Sequence, residues 1–120
     1  MVGVCRAISS RTGKARSTGL ARVRTANTFW SRFIGLLNRS SLAEDEGLLI
    51  TPCASIHTFF MRFTIDLVFL GQDNRVLGVS SNVRPYRIRL SPRGTCSVLE
   101  IAQGNVKKTG IHLDDRLIFD

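Results

Sequence analysis

Residues 47–79 read GLLITPCASIHTFFMRFTIDLVFLGQDNRVLGV, and this stretch decides the fold. Gly47 to Ile50 is a short apolar run stopped by Pro52, which has no N–H to offer a sheet ladder. Ala54 to Phe63 is long and aromatic-rich, and Ile65 to Leu70 is nearly all apolar. Aromatic and β-branched residues of this kind suit a pleated, half-buried surface. Gly71-Gln72-Asp73-Asn74 carries turn chemistry and leads into another strand, Arg75 to Ser80.

Toward the N-terminus, Val2 to Ser9 alternates weakly and ends in the polar stretch SSRTGKARSTG. Leu20 to Thr25 alternates cleanly, with Leu20, Arg22 and Arg24 on one face and Ala21, Val23 and Thr25 on the other. These two segments read as a hairpin with a basic tip. The next segment, NTFWSRFIGLLNR, places Phe29, Trp30, Phe33, Ile34 and Leu37 on one stripe behind an Asn27 or Thr28 cap. It predicts one amphipathic helix near residues 27–38, in which Gly35 costs about 1 kcal/mol relative to Ala and is read as close packing on the sheet.

Toward the C-terminus, NVRPYRIRLSPRG is extended, and Pro85 and Pro92 place it at an edge. Cys96 to Ile101 is a strand, Gln103 to Gly110 a turn or short helix, and Arg116 to Phe119 a closing strand. The expectation is a single domain over residues 1–120, mainly β (α+β). It would be a small open barrel or β-sandwich of about eight short strands with one helix. No βαβ alternation occurs, which argues against a doubly wound sheet.

The chain has 120 residues, 43% hydrophobic and 22% charged, which excludes a mostly disordered or collagen-like chain. A chain of this length buries roughly two-thirds of its unfolded surface, enough for one core. No apolar run approaches the roughly 20 residues of a membrane span, and the N-terminus lacks a secretory pattern, so a soluble, cytoplasmic protein is expected. Seventeen Lys and Arg against nine Asp and Glu give a net charge of +8, and no acidic residue precedes Glu44. This basic half is a nucleic-acid or lipid-binding arm, a basic targeting segment, or a solvated loop between two strands plus the polar face of a helix. The scattering of the charges favours the last. Cys5, Cys53 and Cys96 form no CxxC pair and are expected as free, buried thiols in a reducing compartment.

The string PC-x-SIHTFFMRF-x-ID-x-VFL, with TFWSRFIGLLNR before it and RPYR and VLEIAQGNVKKTGI after it, resembles the bacterial and archaeal family called domain of unknown function 192. The resemblance runs over about residues 20–119. It implies a small, mainly β barrel or sandwich packed on one helix, and it assigns no reaction. One departure is visible. Where the family usually has Gly-Asp near the C-terminus, this chain has Asp114-Asp115, and Asp takes positive φ less freely than Gly.

On an extended Ala54 to Phe63, Ser55, His57, Phe59 and Met61 share a face. Cys53, His57 and Met61 recur every four residues and are soft-metal ligands by type. Positions i and i+4 of a strand lie roughly 13 Å apart, so one ion cannot bridge them, and no metal is assigned. His57 suits general base chemistry near neutral pH, with Asp66 or Glu100 as carboxylate. No nucleophile elbow accompanies it, and no catalytic residue is assigned. Asp66 and Glu100 interrupt apolar strands, where a carboxylate has to be hydrogen-bonded, paired or at a wet rim. Arg62, Arg87 and His57 are the expected partners of Asp66. The plain reading is an ion pair that fixes strand register. The functional reading gathers Ser55, His57, Met61, Asp66, Tyr86, Arg87 and Glu100 around one pocket with a polar floor.

The preferred function is a non-enzymatic binding or accessory module for a small ligand or a partner protein, with no cofactor. One alternative is a small hydrolase- or isomerase-like enzyme using His57 with Asp66 or Glu100 as acid and base. Another is a nucleic-acid or anionic-surface binder through the basic N-terminal hairpin. The last is less favoured, because Arg84, Arg87, Arg89 and Arg93 interleave with Tyr86 alone.

Overall fold

The apolar segments predicted as strands become the middle of a sheet, and the polar ones become its edges and turns. The computed structural model describes residues 2–26, 41–52, 55–57, 63–85 and 88–120, with backbone only at residues 2, 55–57, 88 and 90. In chain order the strands are β1 (Val2–Gly3), β2 (Cys5–Ile8), β3 (Ala15–Ser17), β4 (Arg22–Ala26), β5 (Glu46–Ile50) and β6 (Ser55–His57). β7 (Ile65–Leu70), β8 (Val76–Val83), β9 (Ile88–Leu90), β10 (Ser97–Ala102) and β11 (Arg116–Phe119) follow, with a five-residue helix α1 (Asn105–Thr109) before the last strand.

A six-stranded sheet runs β1-β4-β5-β10-β7-β8, and only β4 and β5 pair in parallel. A three-stranded sheet runs β11-β2-β3, and β6 pairs with β9. The protein is therefore mainly β, and among the described residues no sheet closes on itself, which selects the open form over the barrel. All six residues of β7 are buried, as expected of a central strand covered on both faces.

The two faces of the large sheet carry separate cores. On the first face, Leu49, Val68, Leu70, Leu99 and Ile101 pack with Cys5, Ala7 and Leu117 of the three-stranded sheet. On the second, Leu48, Ile50, Ile65, Leu67, Phe69 and Val98 pack together, with Leu42 and Phe63 against them.

Several expectations are revised here. The N-terminal hairpin is formed by β2 and β3, not by Val2 to Ser9 with Leu20 to Thr25. β3 lies inside the polar stretch, while β1 pairs with β4. An edge strand with two of its three residues exposed leaves no hydrophobic alternation to read. Cys5 is buried, but Cys96 is exposed. The helix predicted near residues 27–38 lies outside the described residues. The helix that is described, α1, falls where a turn or short helix was expected, between left-handed Gly104 and Gly110.

The turn after β7 forms as read. Asp73 and Asn74 both have φ of 57°, and the Arg75 N–H donates to the Gln72 carbonyl at 3.2 Å, the geometry of a type I′ hairpin turn. The final turn also forms despite lacking glycine. Asp114 has φ of 69°, its N–H donates to the Val76 carbonyl at 2.9 Å, and its carboxylate holds Arg75. Asp115 is buried and accepts the N–H groups of His112 at 3.1 Å and Ser10 at 3.4 Å.

The basic N-terminal half finds acids from elsewhere in the chain. Arg6 pairs with Asp120 at 2.9 Å, Arg22 with Asp45 at 2.8 Å, and Arg16 lies 3.6 Å from Asp115. The Arg22 pair holds the Asp45 carboxyl below its usual range. The exposed Arg6–Asp120 and Arg22–Asp45 pairs contribute little stability.

Candidate functional site

The register of β7 and β10 separates the two anomalous carboxylates. Asp66 stands opposite Ile101, and Glu100 stands opposite Leu67. Directly opposed residues of an antiparallel pair share a face, and the side-chain period is two. Asp66 therefore belongs to the face of Val68, Leu70 and Ile101, and Glu100 to the face of Leu67, Phe69 and Val98. One pocket cannot be floored by both.

Asp66 is fully buried, and each of its oxygens accepts a hydrogen bond. Its Oδ1 accepts the Asn82 N–H at 3.0 Å, and its Oδ2 accepts the Val106 N–H at 3.0 Å. One oxygen ties the end of β8, where Asn82 has φ of 56°, and the other ties the start of α1. Its described partners are backbone amides, in place of the Arg or His side chains expected from sequence.

Glu100 is the opposite case. It is 3% exposed, and its Oε2 has no hydrogen-bond partner among the described residues. The cause is visible in the row of residues across the sheet: Arg24, Leu48, Glu100, Leu67 and Ser80 stand side by side on β4, β5, β10, β7 and β8. A leucine flanks Glu100 on each side. Arg24 stands two strands away, about 9.6 Å at the usual strand spacing, and among the described residues no ion pair joins it to Glu100. Burial pushes the Glu100 carboxyl up to about 8, so it is mostly protonated at neutral pH.

Of the other predicted residues, Ser55 and His57 lie on β6, with backbone partners Leu90 and Ile88 on β9. Met61, Tyr86 and Arg87 lie outside the described residues. Among the described residues, no three His, Cys, Asp or Glu side chains gather to hold a metal ion.

A concavity absent from the sequence reading lies at the seam between the large sheet and the three-stranded sheet. It is an open groove of about 870 Å³ lined by Arg75, Arg93, Arg116, Cys96, Asp73 and Asp114, among others. An isolated antiparallel bridge places Arg75 directly opposite Arg116, a pairing across 41 residues that no local pattern announces.

This mainly β sandwich belongs to the family described as "Uncharacterized ACR", domain of unknown function 192, whose match covers residues 10–119. Among its relatives is a UPF0127 protein of Pyrococcus furiosus, 29% identical over 100 residues, covering 79% of this chain and 84% of that protein. A crystal structure from Sinorhizobium meliloti 1021, described as "a putative transcription regulator", superposes with a TM-score of 0.84 at 24% identity over 99% of this chain and 94% of that one. A protein of unknown function from Novosphingobium aromaticivorans superposes at 0.78, also 24% identical, over 96% of this chain and 83% of that one. At that identity the two structures share the fold alone. Among the described residues, no helix is long and apolar enough to cross a membrane.

Proposed function

We propose that this protein is a non-enzymatic binding module that takes a small ligand on the second face of its large sheet, with Glu100 as the polar contact. The observation that carries the reading is the buried Oε2 of Glu100, between Leu48 and Leu67, without a partner among the described residues. Burying a polar group without a hydrogen bond costs roughly 1–3 kcal/mol, and the β ladder itself needs no carboxyl there. A protonated carboxyl on an apolar floor donates one hydrogen bond. It suits a largely apolar ligand with a single acceptor or an amine that takes the proton. Ser55, His57, Met61, Tyr86 and Arg87 are the remaining proposed contacts. Asp66 is not, because both its oxygens hold backbone amides on the other face. The same fact weakens the enzyme alternative, which keeps Glu100 but loses Asp66.

The test is a thermal-shift screen of metabolites, metals and nucleotides on wild type, Glu100→Leu and His57→Ala. A ligand that binds only the folded state raises the melting point by mass action. A hit whose shift disappears in Glu100→Leu supports the reading. A hit that shifts wild type and Glu100→Leu equally rejects Glu100 as the contact.

A further inference from the structure

The geometry points to a second binding site, the seam groove, which takes a small phosphate-bearing ligand through Arg93 and Arg116. The first observation is the Arg75–Arg116 bridge. Like charges placed directly opposite on paired backbones repel, and the fold relieves only one of them. Arg75 is neutralised by Asp114, whose Oδ1 accepts its Nε at 3.0 Å and its Nη2 at 2.6 Å. Arg116 has no such partner among the described residues, and neither has Arg93, which lines the same groove. Two exposed guanidinium groups thus face one groove with their donors unclaimed by protein acceptors.

The second observation is the size and make-up of the groove. At about 870 Å³ it falls in the range of small-molecule sites. Guanidinium forks match phosphate oxygens in geometry and charge. Among the described residues no aromatic side chain lines the groove, so bases would find no stacking platform. Asp73 and Asp114 also line it and interrupt the positive surface. That arrangement suits a compact anion lodged between Arg93 and Arg116, and it disfavours a long phosphodiester chain, which would run over the carboxylates.

Cys96 supplies a local reporter, because it is exposed and lines the same groove. The full chain is treated with iodoacetamide at low salt, and alkylation of the Cys96 peptide is followed by mass spectrometry. Inorganic pyrophosphate, orthophosphate and a single-stranded oligonucleotide are compared as probes. Millimolar pyrophosphate is expected to slow Cys96 alkylation. Arg116→Gln and Arg93→Gln should each weaken pyrophosphate binding about tenfold or more by calorimetry, the usual loss of a charge-assisted contact. Arg11→Gln, on the neighbouring hairpin tip, should leave it unchanged. The inference is overturned if pyrophosphate gives no protection, or if both groove variants bind as wild type does. Protection by the oligonucleotide with none by pyrophosphate would also overturn it, in favour of a polynucleotide track.

Discussion

Asp66 and Glu100 sit one register step apart on hydrogen-bonded strands and point to opposite faces of the same sheet, one with a backbone amide on each oxygen and the other with an oxygen unclaimed among the described residues. A carboxyl group in an apolar strand thus plays two roles. Asp66 is a clamp between β8 and α1, while the Glu100 Oε2 has no partner among the described residues.

The clamp predicts a stability loss. Asp66→Ala leaves the Asn82 and Val106 amides without their acceptor, and it should lower stability by roughly 2–4 kcal/mol, since bonds to a charged acceptor are worth about 1.5–3 each. Asp66→Asn keeps one acceptor oxygen and should lose less. Urea unfolding reads this as a lower midpoint at unchanged slope. A midpoint for Asp66→Ala within error of wild type would remove the clamp.

Glu100 predicts a pH dependence of definite sign. Its carboxyl is raised in the fold from 4.5 to about 8, so between those values the folded chain holds a proton that the unfolded chain has released. Stability should be fullest below 4.5 and fall as pH rises toward 8, by at most about 1.4 kcal/mol per unit. Glu100→Gln should flatten that decline, and Glu100→Leu should make the protein more stable than wild type at the alkaline end. Parallel pH profiles for wild type and Glu100→Gln would show that some other group is responsible.

The last turn predicts an ordering of variants. At φ of 69°, Asp114 is in a region that glycine occupies without strain, and its compensation is the exposed pair with Arg75. Asp114→Gly loses a weak ion pair but gains backbone ease, so its stability should stay within about 1 kcal/mol of wild type. Asp114→Ala loses the pair and keeps the strain, and it should be the less stable of the two by about 1 kcal/mol. Equal melting points for the two variants would mean that the backbone conformation carries no cost.

The thiols predict a reactivity contrast. Cys5 is buried, and desolvation pushes its thiol up to about 11, against the weaker pull of its bond with Thr18. Cys96 is exposed. Under native conditions an aromatic disulfide reagent should modify Cys96 readily and reach Cys5 only on unfolding. Peptide mapping of the labelled protein distinguishes the two sites.

Much of the β order was legible because burial and periodicity are local. Ile65 to Leu70 and Cys96 to Ile101 read as strands from their apolar residues, and form as Ile65–Leu70 and Ser97–Ala102; Gly71 to Asn74 read as a turn because Gly, Asp and Asn tolerate positive φ. β3 was illegible because an edge strand buries too little to leave a pattern. The fate of the N-terminal arginines was hidden too, since Arg6 meets Asp120 across 114 residues.

For the candidate site, composition alone marked Asp66 and Glu100 as anomalies, since a carboxylate amid Ile, Leu and Val is costly wherever the strand lies. What each carboxylate meets depends on register, and register is a relation between segments far apart in the chain. One step along β10 puts Glu100 between Leu48 and Leu67, where its Oε2 finds no partner among the described residues. The position of α1 delivers the Val106 amide to Asp66, and the β11 bridge sets Arg116 against Arg75. The sequence alone determined which residues would be costly to bury. Only tertiary structure decided which would be satisfied, because hydrogen bonds and charge pairs act over a few ångströms of space, whatever the separation along the chain.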